Sequence, residues 1–350
     1  MSELKSASAI GPASPGREAY YETLSGHSLA PLWASLARLV PSEPKPAAQP
    51  FAWKYADVRP QLMEAGNLIS AEEAERRVLV LENPALKGQS RITDTLYAGL
   101  QLILPGEVAP AHRHSQSALR FAMEGRGAYT AVNGERVAME PGDFIITPAW
   151  TWHDHGSESD GPVVWLDGLD VPLVTFLHAG FREQHESAAQ SVHRSEGETQ
   201  LRFGSGLLRP EDVRTTTSPL FKYSYSRTRD ALALIARREE IDRWRGFEVR
   251  YVNPTTGEGA MPTIAAGMRL LPAKFRSRSY RSTDGAVLVG VEGSVRVTVA
   301  GEAITLQPKD VLAIPAWQPH VLEADEESVV FSFSDAPVHQ KLGLWREERQ

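Results

Sequence analysis

Residues 106–155 read GEVAPAHRHSQSALRFAMEGRGAYTAVNGERVAMEPGDFIITPAWTWHDH. His112 and His114 stand at i and i+2, and on an extended strand those two side chains project from one face. That is metal-ligand spacing on a strand. A third histidine, His153, follows only after a hairpin's length of chain, and the turns between say how it returns. Asn133-Gly134 is the strongest short hairpin signal, because both residues accept positive φ in a two-residue turn. Pro141-Gly142-Asp143 predicts another tight turn ahead of the apolar Phe144, Ile145 and Ile146. The chain therefore runs out, reverses and comes back, and His153 is expected beside the first pair in a rolled antiparallel sheet.

The spacing matches a known pattern on both sides of the turn. Gly106, five residues, His112-x-His114, then Gly125 follow the first half of the cupin motif, with Ala118 where a glutamate is usual. Gly142, five residues, Pro148 and His153 follow the second half, with Trp150 at the usual glycine and Ser157 at the usual asparagine. Together with LYAGLQLILPGE, HRHSQSALRF and Pro148-Ala149-Trp150-x-x-His153, these residues resemble the gentisate 1,2-dioxygenases over most of the chain, from about residue 20 onward.

Outward from the histidines, the 95–104 run TLYAGLQLIL alternates Leu96, Ala98, Leu100 and Leu102 against Tyr97, Gly99 and Gln101, which predicts a buried strand. VVWLDG, with Val163, Trp165 and Asp167 on one face, is expected to close the barrel. Arg120 shares the parity of His112, His114 and Ala118, so its guanidinium is expected inside. A buried arginine without an anion is costly. It implies either a bound carboxylate, which guanidinium suits bidentately, or an internal partner such as Asp167. His155 shares the face of His153 at i+2, where it can act as an acid or base near the metal. Tyr97, Trp150, Trp152 and Trp165 form aromatic walls if they face inward, and core if they do not.

The chain also repeats itself. Pro148-Ala149-Trp150-x-x-His153 recurs as Pro315-Ala316-Trp317-x-x-His320, an offset of 315 − 148 = 167, and Glu124-Gly125 recurs as Glu292-Gly293. Duplication of one such unit implies a second barrel. In it Tyr280 and Ser282 stand where His112 and His114 stand in the first, so a degenerate metal site is expected there.

The resemblance implies an all-β bicupin: two double-stranded β-helix (jelly-roll) barrels with a helical N-terminal arm and a helical connector. The expected divisions are 1–76 for the arm and helices, 77–170 for the metal-binding cupin, 171–245 for the connector and 246–350 for the second cupin. It implies Fe(II) on His112, His114 and His153, with His155, Arg120 and Asp167 as catalytic residues. Arg76, Tyr97, Gln101, Arg120, His155 and Trp165 are the implied substrate contacts. The implied reaction is cleavage of gentisate between C1 and C2 with O2, giving maleylpyruvate, in a homotetramer. Salicylate or 1-hydroxy-2-naphthoate dioxygenation is the alternative, as is a carboxylate-binding bicupin without turnover. The donor set alone leaves Mn, Ni, Cu and Zn open.

Composition bounds these readings. The 350 residues carry a net charge of −7 and 42% hydrophobic residues, which argues against nucleic-acid or anionic-membrane partners and allows two packed cores. With no cysteine, disulfides are excluded and a metal must be held by nitrogen and oxygen. The N-terminus has no apolar core of the kind a signal peptide needs, and no uncharged apolar run reaches 18 residues, so a cytoplasmic protein is expected. Residues 1–18 are expected to be a mobile tail. Ser28–Val40 has Leu29, Leu32, Trp33, Leu36 and Leu39 on one helical face, and the prolines at 41, 44, 46 and 50 predict an extended arm.

Overall fold

The computed structural model describes residues 14–350; most of the expected tail lies outside them. The chain divides into two compact units at Lys45/Pro46. In the first, helices Pro15–Gly26 and Leu32–Leu39 are joined by a hydrogen bond from Trp33 Nε1 to Tyr21 Oη (3.0 Å). The expected apolar stripe is helical only from Leu32 to Leu39, with Leu29 ahead of the helix, and within the single chain Leu32, Trp33, Leu36 and Leu39 are exposed.

The second unit is mostly β-sheet with a few helices. Four sheets form two interleaved pairs. In the N-terminal pair, one sheet orders Lys222–Tyr223, Phe144–Thr147, Ala118–Glu124, Val163–Leu169, Tyr97–Ile103 and Val78–Val80. The other orders Arg182–Gln184, Val108–His114, His153–Ser157, Ala128–Val132 and Glu135–Ala138. All the pairings are antiparallel. Asn133 (φ 48°) and Gly134 (φ 83°) make the anticipated two-residue turn, with Val132 opposite Glu135.

The C-terminal pair repeats the plan, with Phe51–Trp53 as an edge strand on Val311–Ile314. Within the stretch up to residue 76, expected as arm and helices, Phe51–Trp53 is thus a strand. The connector also holds more than helices. Val171–Phe176 and Tyr225–Arg238 are helical, but Arg182–Gln184 is a strand laid on His112–His114.

The sheet containing Ala118–Glu124 is buried on both faces. One face carries Leu100, Leu119, Phe121, Phe144 and Leu166 into a core shared with Met268, Val287, Phe331 and Phe333 of the C-terminal pair. Phe121 and Phe331 stack there, centroids 4.2 Å apart and 8° from parallel. Such burial stabilises by roughly 1.5–3 kcal/mol per large apolar side chain. The opposite face carries Arg120, Gln101 and Asp167 toward the histidines' sheet. Among the described residues no helix is long and apolar enough to cross a membrane.

Candidate active site

The return predicted from the turns is made by register. His112 lies opposite His153 across the antiparallel pair, and a bulge between Ala109 and His112 resets the alignment at that point. His114 follows on the same face. One nitrogen from each of the three rings falls within 4.8 Å of the others, and the ring centroids are 4.4 to 5.3 Å apart. This is a site suited to a metal ion.

The backbone sets the tautomers. His112 Nδ1 lies 3.1 Å from Pro110 O, His114 Nδ1 2.9 Å from Gln116 O and His153 Nδ1 3.0 Å from Thr151 O. A carbonyl only accepts, so a proton on each Nδ1 leaves the Nε2 lone pair bare for a cation. His112 has a competing neighbour, because Arg76 Nη2 lies 2.6 Å from its Nδ1 and donates to the same Pro110 oxygen at 2.8 Å. The arginine N–H calls for a bare Nδ1; a cation held at Nε2 would instead favour the Nδ1–H form, with Arg76 donating to Pro110 O alone. Burial first, and then the neighbouring arginines, hold these rings neutral: His112 is pushed down to about 3, His114 to about 4 and His153 well below its ordinary value.

Arg120 is buried, and its guanidinium reaches three groups. It donates to Thr147 Oγ1 through Nη1 and to His155 Nε2 through Nη2 (3.1 Å). Its Nε lies 3.5 Å from Asp167 Oδ1, an ion pair without hydrogen-bond geometry. His155 Nδ1 in turn faces Thr130 Oγ1 at 3.0 Å. His155 is fully buried, and burial and then Arg120 keep it neutral. Asp167 accepts from Trp165 Nε1 at 3.1 Å; burial raises its carboxyl to about 6 against the pull of Arg120. Arg76, lowered to about 9 first by burial and then by Arg120, is a second cation. Part of its side chain still reaches the surface, but the close partners of its guanidinium show that the charged end is enclosed.

The remaining expected residues separate. Gln101 is buried opposite Trp165 in register, and the hydroxyl of the partly buried Tyr97 is raised by burial first and then by the Asp167 charge. Trp165 is fully buried among Ile103, Ala122, Ile145 and Phe221, so it is floor more than wall. Trp150 and Trp152 are not inward walls. They clasp Arg113, on the opposite parity from the histidines, each with its ring centroid 4.6 Å from the guanidinium carbon. Ala118 is buried against Thr147, leaving no carboxylate at the position where the cupin motif expects one.

Three participants escape the sequence reading. Thr130 and Thr147 hold His155 and Arg120, and Arg182, opposite His114 in register, adds positive potential at His112 and His114. Nothing in the local pattern of Arg182–Gln184 marks it as a strand on the metal site.

The chain is similar to known proteins in the same terms. The cupin domain family matches residues 99–170. Gentisate 1,2-dioxygenase 1 of Aquipseudomonas alcaligenes is 48% identical over 335 residues, covering 95% of this chain and 96% of that protein. A 5-aminosalicylate 1,2-dioxygenase of a Comamonas species is 35% identical, covering 95% and 90%. Among solved structures, salicylate 1,2-dioxygenase from Pseudoaminobacter salicylatoxidans with gentisate superposes with a TM-score of 0.91 at 34% identity, covering 98% of this chain and 96% of that one.

Proposed function

The chain belongs to the gentisate 1,2-dioxygenase family, and from that premise we propose that it cleaves gentisate (2,5-dihydroxybenzoate) between C1 and C2 with dioxygen, giving maleylpyruvate. The observation that carries the reading is the three-histidine cluster beside a buried, cationic Arg120. The two sheet pairs are read as two jelly-roll barrels, the first holding the metal. The apolar face of Leu32–Leu39 supports assembly of several chains, a tetramer by family likeness.

His112, His114 and His153 would hold Fe(II), whose neutral imidazole set leaves its charge intact and positions open for ligands. Fe(II) supplies a Lewis acid for the substrate's oxygens and a redox path from the aromatic ring to dioxygen. The protein does the rest. Arg120 and Arg76 make the pocket positive, which favours a dianionic hydroxybenzoate, and Arg120 takes the carboxylate. Asp167 holds the Arg120 Nε edge, while Gln101, Tyr97 and the Trp165 edge shape the space around the ring. His155 Nε2 accepts from Arg120. When Arg120 turns to the substrate, that lone pair is released to take the proton of a substrate hydroxyl. Orientation by these groups is worth much of the barrier.

The test is oxygen uptake by apo protein reloaded separately with Fe, Mn, Ni, Cu and Zn, against gentisate, salicylate and 1-hydroxy-2-naphthoate. Iron-dependent uptake with gentisate is expected. Binding of the acids with no uptake under any metal would make the chain a carboxylate binder.

A further inference from the structure

An open cavity of about 590 Å³ is lined largely by the C-terminal sheet pair. Its construction parallels the metal site strand by strand. Tyr280 lies opposite His320 as His112 lies opposite His153. Trp317 N–H donates to Ser282 O as Trp150 N–H donates to His114 O. Arg269 is the fifth residue of Ala265–Leu271, as Gln101 is of Tyr97–Ile103. Two of the three histidine positions are replaced, by Tyr280 and Ser282, while His320 and the space are kept.

What fills the positions is polar and incompletely partnered. Arg269 donates through Nε to Glu248 Oε1 at 2.9 Å, and neither terminal nitrogen of its guanidinium has a hydrogen bond among the described residues. Arg245 is tied by Nη2 to Tyr280 Oη (2.8 Å) and Glu347 (3.1 Å), while its buried Nε has no partner. Glu248 is shared by both arginines, 3.6 Å from Arg245. His320 gives its Nδ1 to Gln318 O at 3.2 Å, so its Nε2 offers a lone pair; burial, with Arg269 nearby, keeps the ring neutral. Ser332 brings a hydroxyl, and Leu288, Ile314 and Phe333 bring apolar surface. The lining carries four basic side chains against three carboxyls, and burial raises one of those, Asp284, toward its neutral form.

Free guanidinium donors call for a carboxylate, and a bare imidazole nitrogen calls for a donor such as a hydroxyl. We infer that the C-terminal sheet pair holds a second ligand site, a pocket that takes a small hydroxy acid with its carboxylate on Arg269 and its hydroxyl on His320 Nε2. This site stands apart from the three histidines and does not depend on ring cleavage.

Equilibrium dialysis of the iron-loaded full-length protein, without oxygen, tests it with radiolabelled gentisate, salicylate and lactate as probes. At least one probe is expected to saturate at two per chain. Arg269→Gln, which installs the residue found at the matching position of the first sheet pair, is expected to lower that to one. Ser332→Leu, filling the cavity from a neighbouring strand, is a second route to the same loss should Arg269→Gln fail to fold. Arg120→Leu is expected to weaken the first site and spare the second, which separates this inference from the reading of the metal pocket. Stoichiometry of one per chain for all three probes overturns the inference, as does a second site that survives in every folded one of the Arg269 and Ser332 variants.

Discussion

Arg120 donates to His155 Nε2 across 3.1 Å, a contact open only to a neutral imidazole. On the proposed reading, in which His155 is the base, the pair couples the pocket's charge to that base, because whatever draws Arg120 away frees the lone pair. Arg120→Leu is expected to lose about 2–4 kcal/mol of transition-state stabilisation, a fall in kcat/KM of roughly 30- to 1,000-fold. Steady-state kinetics with iron content measured in parallel decides it; an unchanged kcat/KM at full iron would leave Arg120 a structural role.

The metal site makes a chemical prediction of its own. His114→Ala removes one of three nitrogen donors, so the purified variant should contain near-zero iron while its circular dichroism matches the parent. Full iron occupancy in a folded His114→Ala protein would overturn the ligand assignment.

Asp167 gives a pH signature. Its carboxyl holds a proton up to about pH 6 in the folded chain and, from its ordinary value of 3.8, releases it earlier when unfolded. Between those values the folded state binds more protons, so this group's contribution to stability falls as pH rises. The buried histidines slope the opposite way, since unfolding lets them protonate below about 6.5. The Asp167 part is therefore read as a difference: the melting temperature of the parent minus that of Asp167→Asn should decline from pH 4 to pH 6. A flat difference would mean the carboxyl is not held protonated.

Substrate preference follows from ring electronics. The 5-hydroxyl of gentisate, para to the 2-hydroxyl, pushes electron density into the ring and eases transfer toward oxygen. Gentisate is expected to exceed salicylate in kcat/KM by at least about tenfold, or 1.4 kcal/mol. Equal turnover would assign specificity to pocket shape instead.

The shared core can be probed from the far side. Phe331→Ala removes the ring stacked on Phe121 and should cost about 3–5 kcal/mol of stability in a denaturant titration. A cost under 1 kcal/mol would show that the two sheet pairs do not depend on one another.

Much of this was readable along the chain because it is local. The Asn133-Gly134 turn, the alternation in Tyr97–Ile103 and the shared parity of His112 and His114 each depend on neighbours within a few residues. What escaped is set by distant pairing. Arg182 meets His114 only through sheet register, and no residue near it advertises that. Phe51–Trp53 follows a proline-rich tract that reads as an extended arm, yet it completes a sheet on Val311–Ile314. Trp150, expected at a wall or in the core, takes φ +60° and turns its ring to Arg113. Parity could not foresee this, since the turn breaks the strand's alternation.

The sheet that carries Arg120 on one face carries Phe121 on the other, and both faces are packed. A one-residue slip of Ala118–Glu124 would drive Phe121 into the metal pocket and bury Arg120 among Phe331 and Phe333. The aromatic stack with the C-terminal pair thus serves as an indexing pin. It holds the cation's address along the strand at a distance from the chemistry, so drift in the catalytic register is resisted by a part of the molecule that need never meet the substrate.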